Sequence, residues 1–414
     1  MVAVFVTGYA CIAFEHTLGV NKAAVAIGMA ALLWSMLLGF GADPHHLGEA
    51  LIEQLSETSQ IIFFLLGAMT LVEVIDAHGA FRVVTDRIRT RSIRGLLLAV
   101  GLLAFFMSSV LDNLTTTIVM VSLLRRMVPD REQRNLLGGF VVVAANAGGA
   151  WTPIGDVTTT MLWIGGQIST VGIMTKLVLP SFLSLVAAMA ILSLGLKGDI
   201  SGVASQEAEA TEGMRHGAKR VLALGLAAFL LVPVLKSFLH IPPFLGIGFG
   251  LSMMWILTDL LHRDGHPGDH VRVPHALSRV DVASAFFFLG ILLAVGALQT
   301  VGILGDLAKE LARVTSHEPT IAAIIGIVSA IVDNVPLVAA TMKMYPLSQV
   351  PLDDNLWSLI AYCAGTGGSL LIIGSAAGVA LMGMEHITFG WYMRRITPAA
   401  MVAYFVGLAA AVWL

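Results

Sequence analysis

Two short runs in this chain set an aspartate beside an asparagine inside apolar sequence. The first is Ser108-Ser109-Val110-Leu111-Asp112-Asn113-Leu114-Thr115-Thr116-Thr117, and the second, about 221 positions later, is Ser329-Ala330-Ile331-Val332-Asp333-Asn334-Val335-Pro336. A third run carries Asn146, Gly148, Gly149, Pro153, Gly155, Asp156, Thr158 and Thr159 within fourteen residues. Carboxylate, amide and hydroxyl oxygens are the donor set of a small hard cation. A carboxylate also binds a proton, and it holds a proton and a cation together poorly. Burial makes a carboxylate keep its proton more tightly, and a bound cation loosens it again. Competition for one carboxylate is therefore a way to exchange the two ions.

The surroundings make such groups costly. Of 414 residues, 57% are hydrophobic and 12% charged, with a mean hydropathy of +0.85. Soluble domains carry roughly 25% charged residues. The chain reads as a multi-pass integral membrane protein, and its net charge of −3 is too small to indicate a nucleic-acid partner. An ionised side chain at bilayer depth costs at least ~2.5 kcal/mol, so it marks a binding or transport task. Cys11 and Cys363 both fall in apolar sequence, which leaves no disulfide framework or cysteine metal cluster. The apolar start, Val2 to Phe14, has no basic flank or small-residue cleavage site and is expected to be a first span, not a signal peptide.

Spans of about 20 apolar residues fit near 2–14, 21–40, 60–77 and 173–196, and again at 221–239, 243–261, 281–299 and 396–414. The segment 95–128 behaves differently. Arginines precede it at 82, 87, 89, 91 and 94 and follow it at 125, 126, 131 and 134. Basic loops stay in the cytoplasm, so both ends belong on one side and the chain must turn inside the membrane. Its arms, 95–111 and 114–124, rise only ~26 Å and ~17 Å as helices, which describes a re-entrant hairpin with Asp112 and Asn113 at the tip. A second hairpin is expected at 318–344, with Asp333 and Asn334 at its tip. Placed this way, 19 of the 24 Lys and Arg residues fall on the cytoplasmic side. The other five are Lys176, Lys236, Lys309, Arg313 and Lys343. The acidic, cation-free stretch 41–59 fits the outside.

After each hairpin comes a long apolar segment with a break. In 136–168 the glycines and Pro153 cannot continue an α-helix comfortably, and in 356–387 Gly365, Gly367, Gly368 and Gly374 interrupt in the same way. Unwound backbone at membrane depth survives only where protein or a wet cavity covers it. Tip and break are expected to meet near the midplane, once in each half. The fold class expected is an all-α polytopic membrane protein of two inverted-topology repeats, 1–196 and 219–414, joined by a cytoplasmic linker at 197–218. Each repeat would have five spans plus one re-entrant helical hairpin facing an interrupted helix. His262, His266, His270 and His275 lie in a polar segment broken by Gly265, Pro267 and Gly268. That segment is read as a cytoplasmic loop, not a metal site.

The runs LDNLTTTIVMVSLLRR (111–126) and NAGGAWTPIGDVTTTMLWIGGQIST (146–170), preceded by FFLLGAMTLVEVIDAHGAF (63–81), resemble the NhaD-type sodium/proton antiporters of the wider ion-transporter superfamily. The likeness runs through nearly the whole chain. It implies exchange of Na+ or Li+ for H+ in pH homeostasis, with no resident cofactor and no enzymatic activity. It also implies a homodimer in a bacterial inner membrane. Carried onto this sequence, the family's polar positions are Ser108, Asp112, Asn113, Asn146, Asp156, Thr158 and Thr159 in the first half, and Ser329, Asp333 and Asn334 in the second. Asp112 is the principal shared carboxylate of that expectation, with Na+ or Li+ at Asp112, Asn113 and Asp156. The second half departs from the first: Ser375 stands where Asp156 does, Ile372 where Pro153 does and Gly365 where Asn146 does. Glu73 and Asp76 have Gly296 and Gln299 as counterparts, an asymmetry consistent with a proton relay.

Each residue also has a plainer role to weigh. Asp112, Asp156 and Asp333 could cap the helices that follow them, Asn113 and Asn334 could form turns, and the hydroxyls could bond back to their own helices. Two other functions use similar parts. A sodium-coupled carboxylate carrier of the same superfamily is expected to show Ser-Asn-Thr tips instead of Asp-Asn. An intramembrane aspartyl protease needs Gly-x-Gly-Asp, and Pro153-Ile154-Gly155-Asp156 fails at its first position.

Overall fold

In a computed structural model the chain is all-helical, and every residue is described except 14, 41–42, 87, 89, 91, 197–213, 264–270, 316, 332–333 and 414. Arg87, Arg89, Arg91, most of the expected linker, His266, His270 and Asp333 therefore lie outside the described residues. Among the described residues, six helices are long and apolar enough to cross a membrane, or seven if the bent pair near the C-terminus counts as one span.

The first half opens with α1 (Val2–Ala13), α2 (Glu15–Leu18), α3 (Lys22–Phe40) and α4 (Pro44–Ala77). The expectation of a span over 60–77 alone needs correction, because α4 is one unbroken helix of 34 residues, about 51 Å long. Asp43 explains the early start: its side chain accepts from His45 N and His46 N, and Pro44 stands at the first helical position, where its missing N–H costs nothing. The acidic stretch read from composition as outside the membrane thus forms nearly the outer half of a helix.

After α5 (Arg82–Thr85) come the arms α6 (Ile93–Ser108) and α7 (Asn113–Met127), then α8 (Arg131–Gly149), the break, α9 (Val157–Ile164) and α10 (Thr170–Gly195). The turn between α6 and α7 occupies 109–112, so Asn113 is the first helical residue of α7 and not part of the turn. The second half runs α11 (Ala218–Leu239), α12 (Pro243–Leu261), α13 (Val273–Arg279), α14 (Val282–Thr300) and α15 (Ile303–Val314). It continues with α16 (Glu318–Ser329), α17 (Asn334–Met344), α18 (Asn355–Gly367), α19 (Ala376–Glu385), α20 (Phe389–Arg395) and α21 (Thr397–Trp413). The last two meet at 55°. Both halves run two short arms, a helix, a break, a half-helix and a closing helix, with the short α20 interposed before the last in the second half.

The helices pack in two groups, and each group draws on both halves of the chain. In one, α3 lies along α14, α4 along α12 and α14, and α11 along α12 and α4. In the other, α10 lies along α21, α6 packs on α8, α16 on α18, and α7 on α8 and α19. The fit of arm against broken helix needs glycine in both halves. A Cβ on Gly148 would stand 2.2 Å from Phe105 O, and one on Gly367 would stand 2.1 Å from Gly326 O. Buried Trp163, Trp357, Tyr362, Tyr392 and Phe140 fill the space between the elements.

Candidate functional site

Both breaks leave a helix N-terminus in the interior, and both hairpin arms begin beside them. α7, α9, α17 and α19 all start where Asn113, Val157, Asn334 and Ala376 line one cavity of about 420 Å³. Helix N-termini carry partial positive charge and favour carboxylates. Asp112 is the N-cap of α7 and Asp156 the N-cap of α9, so each carboxylate sits where a dipole offsets part of the cost of burying it.

The two aspartates are held differently. Asp112 is half-buried; its Oδ1 accepts from Thr115 N and its Oδ2 from Thr115 Oγ1, both at 2.7 Å. The capping role weighed above is real for Asp112, and it fixes the carboxylate at the cavity wall. Asp156 is 3% exposed and makes no side-chain cap to its own helix. Its Oδ2 accepts from Thr158 Oγ1 at 2.9 Å and from Asn334 Nδ2 at 3.4 Å. Thr159 Oγ1 donates to the Asp156 carbonyl at 2.9 Å, which closes the first turn of α9.

Amides tie the four starts together in two pairs. Asn113 Nδ2 donates to Asn146 Oδ1 at 2.9 Å, and Asn146 Nδ2 donates to Ser375 Oγ at 3.1 Å. Separately, Asn334 joins α17 to the first break through Asp156, so each arm is bonded to the break of the other half. All of these residues are buried, where polar groups persist only if satisfied. Ser108, Thr116 and Thr117 are fully buried, and their hydroxyls have no hydrogen-bond partner among the described residues. Such orphaned oxygens beside a polar cluster fit a site that receives a small ion.

The cavity gathers Asp112, Asn113, Asp156, Asn334, Glu73 and Asp76. Asn146 and Thr158 stand behind its wall, bonded to residues that line it. Ser329 does not join the cluster: its Oγ donates to Ala364 O at 3.1 Å, which anchors α16 to α18. Asp333 is outside the described residues. Glu73 is paired, with Arg279 Nε 3.0 Å from its Oε1, whereas Asp76 is exposed on the cavity wall. Lys22 and Arg279 also line this wider end, so the approach carries both signs of charge and the deep end is acidic. No group of three or more His, Cys, Asp or Glu residues suited to a metal ion occurs among the described residues. His262 lies against His78, with ring nitrogens 3.2 Å apart.

Two participants were not expected from sequence. Ser375 accepts from Asn146, and its position in register with Asp156 was the available signal. Glu385, at the end of α19, has a side chain 2% exposed, with Arg125 Nε at 2.7 Å and Arg134 Nε at 2.9 Å. Arg131 donates to its carbonyl at 3.2 Å. These arginines had been read only as cytoplasmic markers. They also bind the second half's half-helix to the first half's arm.

The family model described as citrate transporter (CitMHS) matches residues 9–360. Sodium/proton antiporter 1 of Arabidopsis thaliana is 51% identical over 99% of this chain and 71% of its own length. The Na(+)/H(+) antiporter NhaD of Alkalimonas amylolytica is 31% identical over 100% of this chain and 90% of its own. The crystal structure of the Alcanivorax borkumensis YdaH transporter superposes with a TM-score of 0.55 at 10% identity. That likeness covers 94% of this chain and 96% of the other and concerns the fold alone. With a model spanning most of its length and full-length relatives at these identities, the chain belongs to the NhaD-type sodium/proton antiporters, multi-pass membrane transporters within the citrate-transporter family.

Proposed function

We propose that this transporter exchanges Na+ or Li+ for H+ by alternating access, through two inverted repeats whose re-entrant hairpins and broken helices carry the site. The observation that carries the reading is the meeting of Asp112, Asn113, Asp156 and Asn334 on one cavity, at the starts of three half-helices. Asp112 is the carboxylate that takes the ion or the proton, and Asp156 completes the cation's oxygen shell with Asn113 and Asn334. Asn146, Thr158 and Thr159 position these groups. Ser108 supplies a buried oxygen, and Asp333 is a further carboxylate of the second hairpin. Because one carboxylate holds a cation and a proton together poorly, arrival of sodium displaces the proton, and the site crosses the membrane loaded with one or the other.

Asp76, on the exposed rim, passes protons between water and Asp112, with the Glu73–Arg279 pair beside it. An organic anion is a poor fit to the deep end, where two carboxylates would repel it. Homodimeric assembly in the plasma membrane belongs to the same reading and rests on the resemblance. The test is sodium-induced collapse of a proton gradient in everted vesicles. The parent should respond to Na+ and Li+, and Asp112→Asn should not; a normal response in the variant would remove Asp112 from the role.

A further inference from the structure

The two packed groups of helices touch unevenly at their two ends. The half-helices α7 and α19 run from the site toward the end that carries Arg125, Arg126 and Arg395, the cytoplasmic end by its cations. They pack on each other and on α8. Three ion pairs at this end stay inside one group or the other: Glu385 with Arg125 and with Arg134, and Glu73 with Arg279. The cavity opens here, past Lys22, Asp76 and Arg279.

The half-helices α9 and α17 run the opposite way, and here the groups are joined. α9 packs on α4, and α17 packs on α14 and α15. Trp163, near the end of α9, is 1% exposed. Its ring meets the edge of Phe64 at 6.5 Å between centroids, and Phe64 lines the cavity. On its other side Lys236 of α11 lies 4.2 Å from the Trp163 ring centroid and donates to the Trp163 carbonyl. That carbonyl belongs to the last turn of α9, where the dipole is negative, and it also accepts from Gly166 N at 3.3 Å. A lysine there makes a charge-assisted hydrogen bond and a cation–π contact at once. Alongside, Lys343 at the end of α17 lies 2.6 Å from Glu57 Oε2 of α4.

The levels agree. Glu57 lies 20 residues from the inner end of α4 and Lys236 lies 18 from the inner end of α11, or ~30 Å and ~27 Å along the two helices. Lys236 and Lys343 are two of the five cations that the topology leaves on the outer side. Both lysines therefore sit at the outer mouth, one ~30 Å hydrocarbon thickness from the inner ends, and each reaches from one group of helices to the other.

We infer that Lys236 on Trp163, together with the Lys343–Glu57 pair, forms the outer gate of this transporter, holding the site open to the cytoplasm until the contacts break. The inference rests on the alternating-access reading but not on which ions are carried. Exposing the site outward requires α9 and α17 to slide past α4 and α11, so Trp163 must leave Lys236 and Lys343 must leave Glu57. Weakening either contact shifts the population toward the outward state, since each contact exists in only one of the two.

The test places a single cysteine at Val157, on the cavity wall, in a Cys11→Ala, Cys363→Ala background. A membrane-impermeant maleimide is applied to everted vesicles and to right-side-out cells. The otherwise unaltered protein should label from the cytoplasmic face. Lys236→Met with Glu57→Gln should raise labelling from the outer face roughly tenfold, and the exchanged pair Glu57→Lys with Lys343→Glu should return it toward the starting pattern. Unchanged sidedness in Lys236→Met and in Glu57→Gln would overturn the gate. If Lys236→Met does not accumulate, Glu57→Gln and Lys343→Gln singly carry the same test. Sodium-driven proton movement is read in the same vesicles. A shift in sidedness without any ion exchange would sustain the gate and count against the proposed ions.

Discussion

The two breaks, 150–156 and 368–375, match in backbone and differ in charge. Asp156 starts α9 at φ −143° and ψ 151°, and Ser375 starts α19 at φ −146° and ψ 153°. Ser375 spends its hydroxyl on its own helix, accepting from Gly378 N at 3.3 Å, and accepts from Asn146 as well. Asp156 leaves its helix uncapped and turns its carboxylate to Thr158 and Asn334. The serine finishes a helix; the aspartate faces the cavity. Gly365 shows why the second half does not simply copy the first. A Cβ there would stand 3.4 Å from Asp156 Oδ2 and 3.4 Å from Ala150 Cβ, so an asparagine matching Asn146 would crowd the Asp156 carboxylate. At the two breaks, then, near-symmetric backbone carries different side chains, a carboxylate in one and a hydroxyl in the other.

The sharpest way to break this comparison is to make the first half like the second. Asp156→Ser should lower sodium-dependent exchange at least ~100-fold, because it removes a charge from the ion's shell, measured as transport in proteoliposomes. The reverse intrusion, Gly365→Asn, should lower exchange about tenfold and stability by ~1–3 kcal/mol through overpacking, read as a fall in the melting temperature of the purified protein. At the far end of the second half-helix, Glu385→Gln should cost ~1–3 kcal/mol, the scale for a buried carboxylate discounted because Arg125 is half-exposed. The signature of its loss would be earlier thermal unfolding with the apparent sodium affinity unchanged. Ser375→Ala should have the smallest effect, about 1 kcal/mol for a lost cap and a shift in apparent sodium affinity of less than tenfold. A Ser375→Ala variant as defective as Asp156→Ser would erase the proposed asymmetry.

Sequence made the aspartates legible because a charge in apolar surroundings has few reasons to be there, and the break was legible because glycine and proline act locally. Other parts were hidden for physical reasons. Glu385 binds Arg125 across 260 positions, and no local pattern announces such a pairing. The start of α4 was obscured because its acidic residues lie on a helix that continues beyond the apolar stretch. Ser375 was visible only in register, since a serine before a helix is ordinary. Lys236 was legible as an outer-side cation within the span 221–239, but nothing local showed that it lies against a tryptophan from the other half of the chain.

The central claim is that sodium and the proton compete for the carboxylate of Asp112. It is tested most directly by adding Na+ to the purified transporter in weakly buffered solution and counting protons released, with choline as the control. Release on Na+ and Li+ but not on choline, lost in Asp112→Asn, is the expected result. Sodium binding of undiminished affinity in Asp112→Asn, with the same number of protons released, would contradict it.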